Sequence, residues 1–190
     1  MNKPEFFIPL SVLRAIISLD EKSGNLYWME RDASMFKAGK YSAERSCHQW
    51  NCRHSGKPAL NAEDKHGYLR GTIFGKHIKA HRVVYAIFYG RWPEDDVDHI
   101  NGIRCDNRPE NLRDVSRSEN MKNSAARSNT LTGNTGVTFR SDCQKYRAHI
   151  SVDGRFRHLG YFETEAEACL ARTEANKTHG YHENHGRKAL

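Results

Sequence analysis

A chain of 190 residues, 28% charged and 37% hydrophobic, suffices for one or two modest folded domains and excludes one large core. No apolar run reaches the length of a bilayer crossing, and the first residues, MNKPEFFIPL, lack the apolar core of a secretory signal, so no membrane partner and a cytoplasmic location are expected. Five scattered cysteines (Cys47, Cys52, Cys105, Cys143 and Cys169) argue against a disulfide framework. A net charge of +7 before any contribution from 11 histidines would attract a polyanion, of which nucleic acid is the obvious candidate.

In chain order, Leu10, Leu13, Ile16 and Ile17 recur at helical spacing, and the pattern predicts a short amphipathic helix over 10–19 with Ser11 as its cap. Ser23-Gly24 turns the chain into a strand over 25–29. Residues 31–58 are polar and weakly patterned, and read as an extended loop or insertion able to touch DNA. Within it, Cys47, His48, Cys52 and His54 have zinc-ligand chemistry. They form no C-x-x-C pair and have no second pair at finger spacing, so a polar surface loop without structural zinc is expected. Residues 68–74 and 77–80 flank Gly75-Lys76 as a β-hairpin, and 81–89 follow as a helix ended by Gly90. His81, at the junction of strand and helix, is left outside the catalytic set, as a structural role is at least as well supported.

The stretch VDHINGIRCDNRPENLRDVSRSENMKN, from Val97 to Asn123, concentrates residues suited to phosphodiester hydrolysis. Asp98, a carboxylate able to hold a hard cation, adjoins His99, an imidazole able to take a proton from water. Asn111 follows His99 by twelve residues and Asn120 follows Asp98 by twenty-two. The expected elements are a strand over 97–100, a loop over 102–110, a turn starting at Pro109 and a helix over 116–121 capped by Ser116 with Glu119. Strand and helix could then bring Asp98 and Asn120 to one Mg²⁺, a cation that needs few protein ligands.

The DH pair, the DNRPENLR run and the later SEN resemble the HNH homing endonucleases of phages and introns, and the similarity extends upstream through GYLRGTIFGKHIKAHRVVYAIFYGRWP. The resemblance implies a ββα-metal nuclease domain in which His99 is the general base, Asn111 orients it, and Asp98 and Asn120 bind Mg²⁺ or Mn²⁺.

Beyond Asn123, SAARSNTLTGNTG reads as a linker, with Arg127 available to a phosphate or the minor groove. Strands are expected over 136–140, 145–152 and 155–161, with turns at Ser141-Asp142 and Asp153-Gly154, then a helix from Thr164 to about His179 begun by a Thr164/Glu167 capping box. Period-two geometry sets Tyr146, Ala148 and Ile150 on one face, toward Ala168, Ala171 and Ala175 with Leu170 alongside, and Lys145, Arg147 and His149 on the other. GVTFR, KYRAHI and HLGYFETEAEA resemble the Apetala-type DNA-binding domain of plant ethylene-response factors. That resemblance implies DNA contacts near Arg140, Lys145, Arg147, His149, Phe156 and His158. Two tryptophans of the plant domain are replaced, by Tyr146 or its neighbours and by His158, and Arg155 and Arg157 would supply charge instead.

The expectation is therefore an α+β chain that cleaves double-stranded DNA as a monomer, with a nuclease domain over 1–123, a linker over 124–135 and a DNA-binding domain over 136–190. The rival reading is a non-catalytic DNA-binding regulator that uses the C-terminal sheet.

Overall fold

The computed structural model describes residues 8–122, 134–152, 154–181 and 185. It is α+β, with helices packed on small sheets, and the chain divides between Asp114 and Val115 into two compact units. Among the described residues no helix is long and apolar enough to cross a membrane.

The N-terminal unit begins with helix α1 (Leu10–Ile16), which runs directly into strand β1 (Ile17–Asp20). The helix is shorter than its periodicity predicts. Ile17 is extended and pairs with Trp28 of β2 (Asn25–Trp28), so a β-branched residue with a cross-strand partner leaves the helix. Pro9 holds the N-cap position and no side chain caps the helix, so Ser11 does not serve as predicted. The expected loop over 31–58 is also corrected: it contains a 3-10 turn (Ala33–Met35) and a 12-residue helix, α2 (Ala43–His54), capped by the Ser42 hydroxyl. Strand β3 (Pro58–Ala59) then completes an antiparallel sheet in the order β1-β2-β3.

Strands β4 (Ala62–Glu63), β5 (Leu69–Ile73) and β6 (Lys76–Lys79) form a second antiparallel sheet. Its hairpin turns at Phe74-Gly75, one residue earlier than predicted. Both residues have positive φ (49° and 76°), the backbone of a type I′ turn that matches strand twist. Helix α3 (Ala80–Tyr89) follows, ended by left-handed Gly90, and buries Ala80, Val83, Val84 and Ala86. With Leu13, Ile16, Ile17 and Ile73 these side chains make one core beneath both sheets. Strands β7 (Asp96–His99) and β8 (Leu112–Val115) pair as a two-stranded sheet, with a 3-10 turn at Pro109–Asn111 between them. The sequence pattern did not reveal β8.

The C-terminal unit contains helix α4 (Arg117–Lys122), begun by reciprocal bonds between Ser116 and Glu119 as expected. Strands β9 (Val137–Arg140), β10 (Lys145–Val152) and β11 (Arg155–Phe162) form an antiparallel sheet in the order β11-β10-β9. The turn between β9 and β10 takes four residues, because Arg140 pairs with Lys145. Of the expected Asp153-Gly154 turn, Asp153 lies outside the described residues. Helix α5 (Glu165–Thr178) carries the predicted Thr164/Glu167 capping box and packs on the sheet through Ala168, while Leu170 is exposed rather than part of the stripe. Arg172 is buried there instead, its Nε donating to the Thr135 carbonyl at 3.1 Å.

Candidate active site

Asp98 and His99 end β7, and both are buried, at 8% and 3% exposure. Arg113, opposite on β8, donates through Nε and Nη2 to Oδ2 of Asp98 at 2.9 and 2.7 Å. The carboxylate is thereby held in one orientation.

The loop after His99 is organised by its own polar side chains. Asn101 accepts from the amide of Ile103 (2.8 Å) and donates to Asp106 (2.7 Å). Asp106 in turn receives Nε and Nη2 of Arg108 at 2.9 and 2.8 Å, and that guanidinium holds its carboxyl down at about 2. Asn107 sits inside this loop, 2% exposed, with its Oδ1 3.0 Å from Nε2 of His99. An amide oxygen only accepts, so this bond is made by the tautomer with its proton on Nε2.

Asn111, to which the resemblance gives the task of orienting the base, bonds to the loop after His99. Its Nδ2 donates to Asn101 Oδ1 (3.0 Å) and to the Asp106 carbonyl (2.7 Å), and its Oδ1 accepts from the Asn101 amide (2.9 Å). It braces the loop that presents Asn107, and the imidazole's amide partner is Asn107 instead. Sequence reasoning missed Asn107, Asn101 and Arg113. The DNRPENLR run contains both Asn107 and Asn111, and spacing from His99 does not choose between them.

The other side of His99 is aromatic. The ring of His81, from the first turn of α3, stands edge-on to it at 5.1 Å and 87°, and Tyr68 lies 5.8 Å from His99 and 5.3 Å from His81. Lys79 and Arg104 place their cations 3.7 and 5.3 Å from the Tyr68 ring centre. Burial pushes His81 down to about 3, with the neighbouring positive charges adding to the effect. Burial also lowers His99, opposed by its bond to Asn107 and by the Asp98 and Asp106 carboxylates. From behind, the β1–β2 turn abuts the loop: a Cβ on Gly24 (φ 71°) would lie 2.3 Å from the carbonyl carbon of Asn107.

Asn120 is in α4, within the C-terminal unit, where its amide bonds the Ser116 carbonyl at 2.9 Å. Among the described residues no three His, Cys, Asp or Glu side chains converge as metal ligands. The four zinc-type residues of α2 diverge. Cys47 turns inward to the Arg31 carbonyl, His54 packs on Trp50 at 5.0 Å, and only His48 and Cys52 adjoin, at 3.6 Å.

On the C-terminal sheet, a bulge between Ala148 and His149 sets the register. His149 pairs with His158 and Ser151 with Phe156 on the face opposite buried Ala148 and Ile150. That face carries a stack of His149 on Phe156 (4.4 Å), with the Arg147 guanidinium 5.6 Å from the Phe156 ring and His158 beside Tyr161 (4.8 Å). Arg140 and Lys145 are paired with Asp142 and Glu163 at 2.6 and 2.7 Å. Arg155 and Arg157 pair with Val152 and Ile150, so the register assigns them to the opposite face, against expectation. Arg127 lies outside the described residues.

A buried Asp-His pair at a strand end, with a polar loop fixing the imidazole, has the makings of a hydrolytic site. Residues 79–122 match the model of a family described as HNH endonuclease. The match spans α3, the β7–β8 pair with its loop and α4, and it supports a nuclease at the level of that family. No curated protein and no solved structure matches the chain.

Proposed function

We propose that the chain is a divalent-metal-dependent DNA endonuclease of the homing type, with His99 as general base. The observation that carries this reading is the buried Asp98-His99 pair at the end of β7, with His99 Nε2 bonded to Asn107 Oδ1 at 3.0 Å so that the ring is held in place beside a carboxylate. Asp98 and Asn120 are the proposed metal-holding residues. Their donor atoms are a carboxylate and an amide oxygen, a hard set that suits Mg²⁺ or Mn²⁺ and not zinc. When bound, the cation would stabilise charge developing on the phosphate and the leaving oxygen. The side chains do the rest: His99 removes a proton from the attacking water, Asn107 holds the ring's tautomer and direction, Arg113 orients Asp98, and Asn111 keeps the loop closed.

The C-terminal sheet is proposed to bind the same double-stranded DNA through Arg147, His149, Phe156 and His158, in the manner of an Apetala-type domain, with residues 124–135 as tether and the chain acting as a monomer. Specificity has to come from such contacts, as a scissile phosphate looks alike at every step. Supercoiled plasmid incubated with Mg²⁺ tests the reading. The wild-type chain should relax or linearise it, and His99→Ala should bind with little change yet cut at least about 100-fold more slowly, the usual range for loss of a general base. Equal rates for the two proteins would refute the assignment, and plasmid left intact by the wild type would favour the non-catalytic regulator.

A further inference from the structure

Helix α2 lies outside the matched stretch 79–122, and nothing in the hydrolytic site uses it. It is nevertheless firmly docked. Trp50 meets Trp28 of β2 edge-on at 5.6 Å and Phe36 at 6.4 Å, and the Arg31 guanidinium lies 3.8 Å over the Trp50 ring. Asn51 spans the Arg31 backbone, accepting from its amide at 3.0 Å and donating to its carbonyl at 2.9 Å. Residues 47, 50, 51 and 54 thus form the inward face, at helical spacing.

The outward face carries Arg45, His48, Gln49, Cys52 and Arg53, all exposed. Arg45, Gln49 and Arg53 recur every fourth residue and so form a single row. The helix's one acid, Glu44, hydrogen bonds to Ser42 and its own backbone at the N-terminus, away from that row. Residues 31–57 contain six lysines and arginines against two carboxylates, a net charge of +4 in about a seventh of a chain whose net charge is +7. Only Arg45 and Arg53 of these belong to the helix itself, and Lys37, Lys40 and Lys57 flank it in the chain, so the segment as a whole suits a polyanion. At 1.5 Å per residue, 12 residues give a rod about 18 Å long and about 10–12 Å wide, the width of the major groove.

We infer that α2 is a DNA-reading helix of this nuclease, entering the major groove of duplex DNA with Arg45, Gln49 and Arg53 toward the base edges. Arginine pairs with guanine O6 and N7, and glutamine with adenine N6 and N7, so the row has the chemistry of base recognition as well as of phosphate attraction. The inference rests on the nuclease reading above and assigns part of its specificity to a segment beyond the catalytic loop.

Two measurements on the full chain test it. Arg45→Ala/Gln49→Ala/Arg53→Ala replaces exposed helical positions with the best helix former, so the fold is retained. On duplexes selected by the wild type from a randomised pool, the triple variant should bind at least about tenfold more weakly and select a degenerate site, while its single-turnover cutting rate at saturation stays the same. Cys52, on the same face, serves as a native reporter. Iodoacetamide labelling of its peptide, followed by mass spectrometry, should slow at least about fivefold when duplex DNA is bound. Unchanged affinity, unchanged selected site and unprotected Cys52 in a wild-type chain that binds and cuts would overturn the inference and leave the nuclease reading standing. Protection by single-stranded RNA but not by duplex would overturn it in favour of a different partner. A wild-type chain that neither binds nor cuts duplex would remove both readings together.

Discussion

Replacing Asn107 by alanine removes the acceptor for Nε2–H of His99 in a place only 2% exposed, where water does not substitute for it. A buried donor left without a partner costs about 1–3 kcal/mol, which corresponds to roughly 5- to 150-fold in rate if the cost falls on the productive tautomer and ring orientation. Asn107→Asp keeps an oxygen acceptor at the same place and should recover most of the loss. Both are compared in single-turnover cleavage with saturating protein and Mg²⁺ at pH 8.5, where the imidazole is neutral in either setting. Binding by gel shift should be near wild type for both, as the contact is internal. An Asn107→Ala variant that cuts at the wild-type rate would refute the assignment of Asn107 to the imidazole. Equal losses in the alanine and aspartate variants would refute the argument from acceptor chemistry.

His81, neutral in the fold and held at about 3, binds no proton between that value and its unfolded value near 6.5, whereas the unfolded chain does. Its contribution to stability is therefore fully present above pH 6.5 and declines as pH falls toward 3. His81→Phe should flatten urea-unfolding stability by about 2 kcal/mol between pH 7.5 and 5 relative to wild type, read by tryptophan fluorescence; parallel pH curves would contradict it. Gly24→Ala sets a Cβ against the Asn107 backbone on a residue with positive φ, and should lower stability by about 1–3 kcal/mol and slow cleavage together; a variant unaffected in both would show that the turn does not support the loop. On the C-terminal sheet, Arg147→Ala and Phe156→Ala should each weaken duplex binding roughly fivefold or more, whereas Arg157→Ala, on the other face by register, should have a smaller effect. Equal losses at all three positions in a gel-shift series would remove the distinction between faces.

What the sequence determined by itself was whatever depends on near neighbours. The helical period through Val84, Tyr85 and Phe88, the left-handed stop at Gly90, the Thr164/Glu167 capping box and the alternation along β10 all follow from side chains a few residues apart. The Asp98-His99 pair was visible for the same reason, being adjacent in the chain. Tertiary structure decided what depends on distant partners. Ile17 leaves the helix because Trp28 pairs with it, and β8 exists because β7 lies beside it. Helix α2 escaped notice because its inward face is Cys47, Trp50, Asn51 and His54, polar or mixed residues satisfied by Arg31 and Trp28, so no apolar stripe marks it. The choice between Asn107 and Asn111 belongs to the same class. Both asparagines sit in one polar loop, and only the closure of that loop by Asn101, Asp106 and Arg108 sets one amide against the imidazole and turns the other into a brace. Spacing along a chain fixes direction where the backbone is periodic, and in an irregular loop direction is set by the hydrogen bonds that the folded loop makes.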